Sequence, residues 1–298
     1  MNTASLFRLI LLSAIWGASF VFLRIAAPVL GPVLLIFVRV ALAASFLLVV
    51  AVCLRRRSGV RQHWRYFLVL GFFNSALPFL LIAEAARTVS ASLLSILNAT
   101  APIWAAVIGA AWGRTRLAPR SLIGLALGIA GVALLAGVET LALPAGGWIA
   151  IAAALGAACS YGLATIYTKS ARSAEPFANA QGSMWAATLL IAPAMAFAPM
   201  PAALPDARVI GSVIALGVLC SGVAYLLYFR LIEDIGATPT LTVTFLIPVF
   251  GVLWGAIFLD EAVGWHTLAG SLIVLTGTAL VSGISPATVF ARTVAHRA

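Results

Sequence analysis

The sequence predicts an all-α membrane protein with ten transmembrane helices arranged as two inverted five-helix repeats. Composition is the first observation behind that expectation. Of 298 residues, 63% are hydrophobic and 9% charged, and mean hydropathy is +1.12; a soluble domain typically carries about 25% charged residues. The second is the spacing of apolar runs, near 6–27, 32–54, 65–86, 90–112, 119–138, 147–169, 177–198, 208–230, 238–259 and 265–284. Each is about twenty residues long, enough to cross a bilayer. The third is an internal duplication. Pro102, Gly109, Gly124, Gly131 and Gly137 recur as Pro248, Gly255, Gly270, Gly277 and Gly283, at an offset of 146 without a gap. In the same register Ser75 matches Ser221, and Leu80-Leu81 matches Leu226-Leu227. A duplicated unit explains this pattern and divides the chain into repeats at 1–142 and 143–298. Five crossings is an odd number, so the second repeat enters the membrane from the opposite face.

The helices follow in order. Helix one, near 6–27, is long for a secretory signal, and its Trp16-Gly17 and Arg24 are echoed by Tyr161-Gly162 and Lys169. A segment that belongs to a repeat is retained. Helix two carries Arg39 within its apolar run, and helix three opens on Trp64 and Tyr66 and closes near Glu84. Helix four carries Ser92, Ser95, Asn98 and Pro102 and ends at Trp112; helix five carries Gly124, Gly128 and Gly131. Helix six begins at Trp148 and holds Tyr161, helix seven holds Trp185, and helix eight holds Tyr225. Helix nine carries Thr240, Thr244 and Pro248, and helix ten starts at Trp265 and carries Gly270 and Gly277. The aromatic residues at these helix ends match the belt expected at membrane–water boundaries.

Basic residues set the orientation. With an internal N-terminus, inner segments hold Arg8, Arg55, Arg56, Arg57, Arg61, Arg65, Arg114, Arg116, Arg120, Lys169, Arg172, Arg230, Arg292 and Arg297. Outer segments hold Arg24, Arg87 and Arg208. Fourteen against three places both termini in the cytoplasm. Because the basic residues are spread between apolar runs, the net charge of +10 does not build a nucleic-acid face. Cys53, Cys159 and Cys220 lie inside or at the ends of apolar runs with no CxxC spacing, which argues against disulfide and zinc chemistry. His63 and His266 sit at helix starts, His296 in the tail, and Asp206, Asp234 and Asp260 in end loops. No catalytic motif is present, so no enzyme, metal or cofactor is expected.

Candidate functional residues come from polar and bulky groups at membrane depth. Arg39 is costly there and takes one of two roles: a structural ion pair with Glu84, or a gate or contact for a substrate carboxylate. Pro102 and Pro248 remove a backbone donor and kink their helices, freeing the carbonyls of Asn98 and Thr244. Freed carbonyls must face protein or a wet cavity, so Ser95, Asn98 and Thr244 are candidate cavity-lining groups. The alternative is that the hydroxyls bond their own helix. Trp16 and Tyr161 are repeat mates, as are Phe79 and Tyr225, and their rings should face inward to bind substrate or fill the core. Gly124, Gly131, Gly270 and Gly277 are expected to let helices five and ten approach their neighbours.

Trp16-Gly17 with Arg24, Phe37-Val38-Arg39, and the series Pro248, Asp260-Glu261, Gly270 and Gly277 together resemble the EamA branch of the drug/metabolite transporter superfamily. The resemblance covers nearly the whole chain and is nearest to bacterial aromatic amino-acid exporters. It implies ten helices, a central cavity and export of small metabolites. One departure is the acidic residue after the proline helix, present as Glu261 but replaced by Thr115 in the first repeat. The expectation is an inner-membrane carrier of aromatic or other neutral amino acids, working by alternating access. All eight acids lie at or near helix ends, so facilitated movement is expected, with a proton-coupled exporter of drugs, nucleosides or other metabolites as the alternative. A multi-helix receptor or scaffold is the alternative outside transport. The expected partners are a small-molecule substrate and the bilayer, with no obligate protein partner.

Overall fold

The computed structural model describes residues 3–55, 60–139, 147–170, 175–201 and 204–282. Gly283, His296, Arg56, Arg57, Arg172, Arg292, Arg297 and the 142/143 repeat boundary lie outside the described residues. The described residues form helices and no strand. In hydrocarbon a helix satisfies its own backbone donors and acceptors, which water cannot do there.

The first apolar stretch, Thr3–Cys53, holds 51 residues. It folds as two helices, α1 over 3–30 and α2 over 32–53, that meet at Gly31. Its φ of 69° and ψ of 161° suit glycine alone at low cost. Pro28 and Pro32 flank the junction, and Pro32 disfavours helical backbone at the residue before it. The chain continues as α3 (Gln62–Ala85), α4 (Ala91–Gly113), α5 (Pro119–Glu139), α6 (Gly147–Ser170), α7 (Pro176–Phe197), α8 (Ala207–Ile235), α9 (Val243–Leu259) and α10 (Trp265–Ser282). Among the described residues, eight helical stretches are long and apolar enough to cross a membrane, counting Thr3–Cys53 once, and α9 is a shorter apolar helix. Trp64, Trp112, Trp148 and Trp265 are exposed near helix ends.

Contacts between the halves are reciprocal. Gly17 of α1 backs onto Phe250 and Gly251 of α9, and Gly162 of α6 backs onto Trp104 and Ala105 of α4; the glycines are 145 residues apart and their partners 146. α5 and α10 meet each other directly. A Cβ at Gly124 would stand 2.5 Å from the Gly277 carbonyl oxygen, and one at Gly277 would stand 2.5 Å from that of Gly124. Gly131 and Gly270 extend the seam, against Val274 and Leu135 respectively. Such close backbone approach supplies van der Waals contact in lipid, where no hydrophobic force drives helices together. Even the helix ends match: Arg114 and Asp260 both close their helices in the left-handed conformation, with φ of 49° and 54°.

The proline helices break that symmetry, contrary to the expectation of equal kinks. In α4 the helix stops at Asn98, and a new helical run starts at Ala101 with Pro102 in its first turn. There the missing N–H costs little. Pro248 instead lies inside the continuous α9, and the break in that half comes earlier, at Leu241–Thr242 after the short turn Ala237–Thr240. At the α4 break the Ala99 carbonyl accepts from the Thr278 hydroxyl of α10 at 3.1 Å, so a neighbouring helix answers an exposed carbonyl.

Candidate functional site

Two widened turns shape the middle of the bundle. α3 winds as a π turn over Phe72–Ala76 and α8 over Ala215–Val223, and an offset of 146 maps the first inside the second. π winding bonds each amide one residue further back and leaves carbonyls that need another donor. The opposite repeat supplies it in each case. Trp16 Nε1 of α1 donates to the Cys220 carbonyl at 3.1 Å, and Ser160 Oγ of α6 donates to the Phe73 carbonyl at 2.7 Å.

That bond aims Trp16 inward. Its ring is edge-on to Tyr225 at 6.3 Å and tilted against Tyr228 at 5.6 Å. Tyr225 stacks on Phe229 at 5.9 Å, with Asn74 of the first π turn as a polar neighbour. Arg39 of α2 reaches the same cluster. Its guanidinium carbon stands 3.8 Å from the centre of the Phe79 ring, and its Nε donates to Ser221 Oγ at 3.1 Å. Tyr161, Cys220 and Tyr225 are its other polar neighbours. A desolvated cation over an aromatic face contributes about 2 kcal/mol.

The structure therefore gathers Trp16, Arg39, Phe79, Tyr161 and Tyr225, drawn from both repeats. It does not bring Glu84 to Arg39. Glu84 pairs with Arg87, with both side chains about half exposed (50% and 48%). Glu84 is five residues beyond Phe79, about 7.5 Å along the axis and on a different face. Ser95 and Thr244 also stand apart from the cluster's contacts. Ser95 is fully buried opposite Gly251 of α9, and its hydroxyl donates to the Ser92 carbonyl at 2.8 Å. Thr244 donates to the Leu241 carbonyl at 2.7 Å. Both hydroxyls bond within their own segment. Asn98 is half-buried, and its Oδ1 has no hydrogen-bond partner among the described residues.

Asn74, Ser221 and Tyr228 were not foreseen as site residues. The one available signal was the match of Ser75 to Ser221, two polar residues at one mid-helix repeat position. Polar ties also join the repeats toward the helix ends. Glu261 accepts from Ala91 N at 2.6 Å, Ser92 N at 2.9 Å and Ser92 Oγ at 2.6 Å, capping the start of α4 with a full negative charge. At that same end, within the first repeat, Arg24 of α1 donates to the Ala86 and Arg87 carbonyls. About 24 Å along α1 from Arg24, Arg8 pairs with Asp234 at 2.5 Å.

A multi-pass helical membrane protein with two repeats and a buried polar centre is the class these features define. The chain belongs to the EamA-like transporter family, which matches residues 4–137 and 148–283. It is 26% identical over 297 residues to the uncharacterized transporter YvbV of Bacillus subtilis, covering 96% of this chain and 94% of that one. An uncharacterized transporter of Archaeoglobus fulgidus is 23% identical over 281 residues, covering 89% and 94%. A solved crystal structure aligns over 99% of both chains with a TM-score of 0.64 at 18% identity, a likeness of fold alone. The chain is thus a membrane transporter by family.

Proposed function

We propose that this transporter is a bacterial inner-membrane carrier exporting small metabolites, foremost aromatic or other neutral amino acids, by alternating access. Substrate lies against Trp16, Phe79, Tyr161 and Tyr225 beside Arg39. The observation that carries the proposal is their convergence: α1, α2 and α3 of the first repeat and α6 and α8 of the second contribute to one cluster. A site shared by two repeats changes accessibility when one repeat rocks against the other. Repeats at 1–142 and 143–298 are the moving halves, and both termini are cytoplasmic on the count of basic residues. No carboxylate pairs with Arg39 among the described residues, which favours facilitated movement.

A proton-coupled exporter is the second reading, favoured by Glu261. Its carboxylate ties α9–α10 to α4, and protonation would remove the charge that holds the tie. Counterflow in proteoliposomes tests the pair. Liposomes preloaded with unlabelled phenylalanine should accumulate labelled phenylalanine at a saturable rate without a pH gradient or voltage. Absence of counterflow for every amino acid tried overturns the amino-acid reading; uphill accumulation that a protonophore abolishes transfers support to Glu261.

A further inference from the structure

Arg39 is the one charged side chain among the described residues that is buried, at 5% exposure. Its hydrogen bonding is incomplete. Nε is taken by Ser221, but the two terminal nitrogens have no acceptor among the described residues. The four ion pairs among those residues are Arg8–Asp234, Arg87–Glu84, Arg230–Glu233 and Arg230–Asp234, and none involves Arg39. A buried cation without a counter-charge is expensive. Phe79 offsets part of that cost through its face, and a ring has no lone pairs for the remaining donors.

The opposite repeat shows that the fold does not need this cation for packing. α8 crosses α2 where Gly217 meets Leu42 and the Arg39 carbonyl; α3 crosses α7 where Gly71 meets Ala186 and the Ser183 carbonyl. Gly71 and Gly217 are repeat mates at an offset of 146, so Ser183 occupies the place equivalent to Arg39. Ser183 is buried and its hydroxyl donates to the Ala180 carbonyl in its own helix. Ser75, the mate of Ser221, is fully buried and its Oγ has no partner among the described residues. The same crossing closes there with two hydroxyls and no charge. Arg39 is thus an addition to a scaffold that packs without it.

We infer that Arg39 is an anion-recognition site: its free guanidinium nitrogens receive a carboxylate of the transported molecule, whose apolar body lies on Trp16, Tyr161 and Tyr225. The inference rests on the transport reading above and narrows it to monocarboxylates with an aromatic or apolar body. Planar bidentate pairing of guanidinium with carboxylate supplies both energy and orientation. Amines and amides lacking the carboxylate are discriminated against, because binding them leaves the buried donors unanswered.

The test compares phenylalanine, phenylacetate and phenylalaninamide as ligands of the full-length protein purified in detergent, by thermal stabilisation and by counterflow. Wild type should prefer the two carboxylates over the amide by about 10- to 100-fold, the loss expected for one charge-assisted pair. Arg39→Met should abolish the preference, and Arg39→Lys should keep a reduced one. Monodispersity on gel filtration shows which variants fold, and the wild-type comparison stands without them. Equal affinity for phenylalanine and phenylalaninamide overturns the inference while leaving a transporter of neutral molecules. Stabilisation by phenylacetate without phenylalanine counterflow supports anion recognition and overturns the amino-acid reading. No response to either carboxylate overturns the inference.

Discussion

The α5–α10 seam yields a prediction whose sign depends on position. In Gly277→Ala the new Cβ would lie 2.5 Å from the Gly124 carbonyl oxygen and 2.8 Å from the Gly128 nitrogen. Both are backbone atoms inside a helix, so no side chain can swing aside. Ordinary contact begins at 3.4 Å, so the helices must part by about 0.9 Å at this point. A gap of that size forfeits a quarter to a half of the dispersion energy across the opened surface. Overpacking of this kind costs about 1–3 kcal/mol, and a loss of about 2 kcal/mol lowers Tm by roughly 4–8 °C. Gly211 in α8 is the control: a Cβ there meets nothing within 4 Å, so Gly211→Ala should gain about 0.5–1 kcal/mol from backbone entropy. Gly124→Ala clashes with the same partner from the other side, so the double variant should lose less than the two single losses combined. Far-UV circular dichroism melts of detergent-purified protein compare all four. Gly277→Ala melting at or above wild type would refute the argument.

Thr278→Val keeps the shape of the side chain but leaves the Ala99 carbonyl unanswered; it should cost about 1–3 kcal/mol in the same melts, while Thr278→Ser should recover most of it. Glu261→Gln presents one acceptor oxygen to three donors, so amide exchange at the start of α4 should quicken at least about tenfold, read by mass spectrometry; unchanged exchange would mean that the cap contributes nothing. Pro248→Ala restores a donor for the Thr244 carbonyl inside a continuous helix and should slow counterflow more than Pro102→Ala, whose proline sits in a first turn; equal rates for both variants and wild type would remove the bend from the mechanism. For topology, in a background lacking the native cysteines, impermeant thiol labelling of intact cells should mark Leu204→Cys and spare Thr115→Cys; labelling of Thr115→Cys would reverse the orientation.

Membrane character, helical fold and the two repeats were legible because they depend on patterns that survive any rotation of a helix about its axis. Hydropathy and a constant offset of 146 need no knowledge of which face points where. Side-chain partners depend on that rotation, and there the sequence misled. Depth along the helices sets Arg39 level with Glu84, yet the side chains it meets are Phe79 on α3 and Ser221 on α8. The π turns in both helices shift every later side chain around the axis, and nothing in Phe72–Ala76 announces an extra residue per turn. Glycine spacing marked one face of α5 and one of α10, but not that the two faces meet. Pro102 and Pro248 looked equivalent for the same reason: their shared register says nothing about where each helix breaks.

The paired π turns bear on the history of the chain. An extra residue in one turn of a helix rotates everything beyond it by about 100°. Gly71 precedes the wide turn of α3 and its mate Gly217 lies within that of α8, Leu80-Leu81 and Leu226-Leu227 follow, and the offset is 146 at each pair. From that glycine to the leucine pair the two copies have equal length, so neither gained or lost a residue alone within that stretch after the gene doubled. A single-residue deletion in either copy would swing Phe79 or Tyr225 away from Arg39. Retention of the surplus in both copies is what holds two diverged halves to one shared centre.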